Sequence, residues 1–178
     1  MAKKAAVIVD PVIDLHRLRE FWSRIDESWD GLYALLLYTQ KNREIRRYVR
    51  KSVRIIDDLS GRDVFVLIFD DLKKANPSTK IFSLMRELGL KYTQVPCLAF
   101  FKSLDDDNIY CYNLKDDKYC SVEFIHIFTL AHKCCQSKKE KDKKLACLKN
   151  KLIRRKIKIK LLPFLKKAGK IIEKKITN

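Results

Sequence analysis

Two short runs, "LYALLLY" (Leu32–Tyr38) and "VFVLIF" (Val64–Phe69), are apolar at every position. In an extended chain successive side chains point to opposite faces, so a strand that is apolar throughout needs cover on both. That pattern belongs to strands in the middle of a sheet with helices packed above and below. Between the two runs stands "REIRRYVRKSVRIIDDLSG", in which Ile45, Val49, Ser52, Ile56 and Leu59 recur every three or four positions. This spacing predicts an amphipathic helix, with Gly61 as its stop. A strand, a helix and a second strand in this order imply parallel pairing through a helical crossover.

The remaining segments extend the alternation. "AAVIVD" (5–10) predicts a short strand closed by Asp10-Pro11, and "VIDLHRLREFWSRIDES" predicts a helix with Leu15, Leu18, Phe21 or Trp22, and Ile25 on one face. After the Asn76-Pro77-Ser78 turn, Ser78 or Thr79 can cap a helix over "KIFSLMREL", which Gly89 ends. "YTQVPCLAFF" predicts a strand beginning just after Pro96, "NIYCYNL" a hairpin partner across the polar "SLDDD" turn, and "SVEFIHIFTLAHKCC" a final helix. The element order is βαβαβαββα, an α/β chain with a closing antiparallel edge.

With that order, "VPCLAFF" (Val95–Phe101) resembles the cis-proline strand of thioredoxin-like domains, and "NIYCYNL" resembles the hairpin strand that follows it. The resemblance covers residues 4–135 and implies a central sheet with helices on both faces, with Pro96 cis. It also implies a peptide-binding loop at Gln94, Val95 and Pro96, beside the redox motif. At the positions of that motif stand Thr39, Gln40, Lys41, Asn42 and Arg43. Dithiol exchange needs an attacking thiolate and a resolving thiol beside a helix N-terminus, and none of these residues is a thiol. The resemblance therefore implies the scaffold without its usual chemistry.

Charge divides the chain. Of the formal net charge of +17, residues 138–178 carry +14, from 17 Lys and Arg against three acids, while residues 1–137 hold 22 basic and 19 acidic residues. The expected organisation is a domain over 1–136 and a Lys/Arg-rich extension over 137–178. Within the extension, apolar residues at 145, 148, 152, 157, 161, 164 or 165, 168, 172 and 176 recur at helical spacing, with a break or kink at Pro163. The alternating "KIKIKLL" is equally consistent with a strand. The expected helix over 121–135 would leave Phe124, Ile127 or Leu130 to receive this extension or a protein partner.

Catalytic signatures are missing: there is no glycine-rich phosphate loop, GxSxG elbow or HExxH motif. Six cysteines with no CxxC spacing read as small buried apolar residues. His132 and Cys135, three apart on a helix, lack the paired ligand spacing of a zinc site. Asp70-Asp71 and Asp105 to Asp107 fall at strand ends and turns, where aspartates serve local hydrogen bonding. The expectation is a protein without catalytic residues, metal or cofactor, residing in the cytoplasm because no apolar run approaches a signal or membrane segment.

What the sequence does offer is cations. Arg43, Arg46, Arg47, Arg50 and Arg54 line one face of the first amphipathic helix, and Lys149, Lys151, Arg154, Arg155, Lys156, Lys158 and Lys160 stud the extension. Guanidinium groups suit phosphates, and free N–H groups at the helix start would add to an anion site. The expected partner is nucleic acid, RNA or DNA, or a ribonucleoprotein. An anionic membrane surface is the alternative, followed by a protein partner. Removing residues 138–178 is expected, on this reading, to leave the domain folded.

Overall fold

In a computed structural model, the structure describes residues 6–9, 20, 29–61, 63–69, 85–86, 88–103, 108–136 and 140–156. Five strands form one sheet: β1 (Ala6–Val9), β2 (Leu32–Leu37), β3 (Val64–Phe69), β4 (Cys97–Phe101) and β5 (Tyr110–Asn113). Their order across the sheet is β1-β3-β2-β4-β5. β3 pairs in parallel with β1 and β2, while β4 runs antiparallel to both β2 and β5. The fold is mixed α/β. The helix expected over 12–28 lies outside the described residues except for Glu20, and of the one expected over 80–88 only residues 85, 86 and 88 are described, with Met85 and Arg86 helical; Lys158, Lys160 and Pro163 lie outside.

β2 sits mid-sheet, and all six of its residues are buried. Leu32, Ala34 and Leu36 enter one core with Val64, Val66, Ile68, Leu98 and Phe100. Tyr33, Leu35 and Leu37 enter the other with Phe65, Leu67, Cys97, Ala99 and Phe101. Each fully buried leucine or phenylalanine contributes roughly 1.5–3 kcal/mol, so this two-sided burial is the main stabilising feature of the sheet. Where β2 begins, the chain at Asp63 passes so close that a Cβ on Gly31 would lie 2.3 Å from the Asp63 carbonyl oxygen. The Leu32 amide donates to that same oxygen at 2.8 Å.

Helix α1 (Arg43–Ser60) buries Ile45, Val49 and Ile56, as its periodicity predicts, and ends at Gly61 with φ 57. Ser52 has φ −130 and ψ 24 and kinks it. The buried positions keep helical spacing beyond it, through Ile56 to Ser60, while the expected inward Leu59 is half-buried against the same core. Helix α2 (Cys120–Cys135) lies beside α1 on the same sheet face, its Phe124 ring 5.2 Å from Tyr48 of α1.

A third helix, α3, spans residues 141–156. Its Leu145, Leu148 and Leu152 are buried in the same core as Phe124, Ile127 and Phe128 of α2. The apolar spacing anticipated this face, but these residues, placed by sequence in an extension beyond the domain, share the core of the sheet. The cations do not all stand in water. Lys144 is only 3% exposed, and its Nζ donates to the Asp30 carbonyl at 2.8 Å and pairs with the Asp30 carboxylate at 3.2 Å. Lys102 pairs with Asp142 at 2.8 Å.

Candidate nucleic-acid interface

The turn from β2 into α1 is closed by its own side chains. Asn42 Oδ1 accepts from the Thr39 amide at 2.8 Å and from the Thr39 hydroxyl at 3.0 Å, so it does not cap the helix. That role falls to a residue far along the chain: Asp116 Oδ1 accepts from the Glu44 and Ile45 amides, both at 3.0 Å. The expectation that this helix start offers free N–H groups to an anion is corrected here, because a carboxylate of the protein already holds two of them. Capping bonds of this kind contribute about 1–2 kcal/mol. Asp116→Ala is therefore expected to lower Tm by roughly 3–6 °C in a thermal melt, with Asp116→Asn losing less.

The Asp116 bond also places the loop after β5 against the start of α1. Next to it, residues from β5, this loop, α2 and α3 line an open groove of about 690 Å³. Lys115, Arg155 and Lys156 supply its cations, while Tyr112, Tyr119 and Val122 supply apolar surface. Tyr119 is 60% exposed and Val122 47%. Two acids also line the groove, and both have internal partners. Glu123 accepts from the Tyr112 hydroxyl at 3.1 Å and the Lys115 amide at 2.9 Å, and Asp117 from the Tyr119 amide at 2.8 Å. Burial and the neighbouring Glu123 carboxylate both raise the Tyr112 pKa, so its hydroxyl stays a donor. Lys156 sits over the Tyr112 ring, 4.2 Å from its centroid.

Of the cations expected to meet phosphate, Arg43, Arg47, Arg50, Arg54, Lys149 and Arg154 are exposed, and Arg46, Lys151, Arg155 and Lys156 are half-exposed. Arg47 is held by Glu44 at 3.0 Å. The α1 set begins at the helix end that Asp116 of the loop holds, whereas Arg155 and Lys156 line the groove itself. Lys149, Lys151 and Arg154 lie on the turns of α3 that precede that wall. Sequence periodicity placed each cation on a helix, but the groove that Arg155 and Lys156 line depends on the loop at 114–119, which carried no signal beyond Tyr119 in a polar stretch.

The Val95–Pro96 peptide bond is cis. Gln94 turns back on its own loop, its Oε1 accepting from the Lys91 amide at 2.8 Å, and Val95 packs against the second core. The Pro96 carbonyl accepts from the Leu114 amide at 2.7 Å. Of the peptide-binding loop implied by resemblance, the Gln94 side chain and the Pro96 carbonyl are thus engaged within the protein.

His132 and Cys135 do not converge on a shared point. His132 Nδ1 contacts the Asp63 carboxylate and its Nε2 lies 2.6 Å from Gln136 Nε2, while the Cys135 thiol points to the Asp63 carbonyl at 3.5 Å. Burial pushes the Cys135 thiol up to about 11. Among the described residues, no helix is long and apolar enough to cross a membrane. Comparison with protein-family models, with curated proteins and with solved structures finds no match for this chain.

Proposed function

We propose that this chain is a thioredoxin-like domain without redox chemistry, serving as a non-catalytic binding or scaffold subunit that holds nucleic acid, free or within a ribonucleoprotein. The scaffold reading is supported by the strand order β1-β3-β2-β4-β5, by the cis proline just before β4, and by the thiol-free turn at Thr39–Asn42. The observation that carries the binding reading is the groove. It sets an exposed tyrosine in the same groove as the α3 cations Arg155 and Lys156, while Asp116 of the same loop holds the end of α1 where the arginine stripe begins. Phosphates engage the cations by releasing condensed counterions, and an unpaired base stacks on the tyrosine. Neither contact reads sequence. The membrane reading is weakened because Leu145, Leu148 and Leu152, the face that an interfacial helix of these residues inserts, are occupied by the core.

Fluorescence anisotropy with a labelled single-stranded oligonucleotide tests this. About five phosphate contacts on a single strand predict roughly 10²-fold weaker binding between 50 and 200 mM salt. Tyr119→Ala should weaken binding by about tenfold with little change in that salt slope, since stacking contributes about 1–3 kcal/mol. No binding at 50 mM salt, or equal retention on anionic vesicles, would overturn the reading.

A further inference from the structure

Among the described residues, five large apolar side chains stand exposed: Ile55 of α1, Tyr119 just before α2, Val122 and Ile125 of α2, and Ile153 of α3. The first four form one line. α1 and α2 run side by side in the same direction: the Cys120 thiol approaches the Glu44 carbonyl at 3.9 Å, Phe124 meets Tyr48, and His132 meets Asp63 just past the end of α1. Near that end Leu59 and Thr129 line one cavity between the two helices. Side chains four apart share a helix face, so Ile55 and Ile125, one turn before Leu59 and Thr129, flank the same seam. Val122 stands three residues before Ile125 and lines the groove with Tyr119. The apolar line therefore leaves the groove beside α3, crosses α2 and ends on α1.

Cations stand at both ends of it. Lys115, Arg155 and Lys156 line the groove. At the other end are Lys51, one turn before Ile55, and Arg54 beside it, both exposed. Beyond Ile55 the cavity is lined by Asp58 and Asp63, which turn a polyanion away. Building on the binding role given to the groove, we propose that this ridge is the track of one unpaired nucleic-acid strand, which crosses α2 from Arg155 and Lys156 to Lys51 and Arg54. Its bases lie on Tyr119, Val122, Ile125 and Ile55, and its phosphates meet the cations at either end. A duplex hides the flat faces of its bases, whereas an unpaired strand offers an apolar face and a charge at every step. A second copy of this chain fits poorly, because two such ridges face to face set cations against cations. From α3 to α1 is two helix spacings of about 8–10 Å each. A strand stacked at about 3.4 Å per phosphate crosses that span in about five or six nucleotides.

The test measures anisotropy of the full chain with labelled oligothymidylates of about three, six and twelve nucleotides, beside a duplex of the longest. Affinity should rise about tenfold or more from the shortest to the middle length and change little after it. Ile55→Ser with Ile125→Ser should weaken the middle strand about tenfold without altering its salt slope, since no charge is removed. Duplex binding by that double variant should stay unchanged, which also reports that it is folded. Lys51→Gln should lower the salt slope by about one. If Tyr119→Ala weakens binding while the serine pair and Lys51→Gln do not, the groove stands and the track across α2 is overturned. A full chain that binds no strand at all removes both. A dimer in sedimentation that the serine pair dissolves also overturns the track, because the ridge then belongs to a second copy.

Discussion

A chain ended at residue 139 is expected to lose its cooperative unfolding transition. Removing α3 strips Leu145, Leu148 and Leu152 from the core shared with Phe124, Ile127 and Phe128 and leaves that surface open to water. Truncating one such leucine to alanine costs about 2–5 kcal/mol, and whole domains are stable by only about 5–15 kcal/mol. Losing three approaches the total. It also breaks the Lys144–Asp30 contact near the start of β2. A chain ended at residue 156 keeps every one of these contacts and is expected to melt within a few degrees of the full protein. Far-UV circular dichroism during heating checks both, and a sharp transition in the 1–139 chain would show that α3 is an accessory. Leu148→Asp in the full chain gives the same answer from one residue: it should destabilise by several kcal/mol, because a carboxylate at this buried position has no partner.

Charge reversal at the groove is the second large effect. Arg155→Glu with Lys156→Glu, combined with Arg43→Glu at the start of α1, is expected to weaken oligonucleotide binding by more than 10²-fold at 50 mM salt and to flatten the salt slope by about two. These side chains are exposed or half-exposed, so the melting temperature should move little. Net charge alone predicts that any surface lysine is equivalent. Lys91, exposed in the loop before β4, is the control: Lys91→Glu should change affinity less than twofold, while Arg155→Glu alone should change it by about tenfold. Equal effects at the two positions would place binding in the general field of a basic protein instead of in the groove.

What could be read in advance follows the range of the forces involved. β2 and β3 were legible because burial on two faces writes itself into consecutive residues. The α3 face was legible for the same reason, since Leu145, Leu148 and Leu152 repeat locally. Its destination was not. Periodicity states that a face is apolar without naming the surface that covers it, and the surrounding lysines made a core helix look like an appendage. Contacts across long separations left no trace: Asp116 caps a helix whose N-terminal amides lie 72 and 71 residues away, and Lys144 reaches back to Asp30. The kink at Ser52 also escaped the pattern, as did the burial of Ser60 beside a half-buried Leu59. The loop at 114–119, which builds the groove, holds two carboxylates and two lysines in seven residues from Leu114 to Cys120. Without knowing their partners, such a stretch is indistinguishable from any solvated turn.

The carboxylate of Asp116 has a consequence for how this scaffold can change over time. Installing cysteines at 39 and 42 would not by itself awaken sulfur chemistry, since the backbone dipoles that stabilise a nascent thiolate are already satisfied by a fixed negative charge. A descendant would need to lose the acid in one segment and gain two sulfurs in another, and the first of those steps loosens the helix. On the proposed reading, redox activity at this turn would therefore not be reached one substitution at a time.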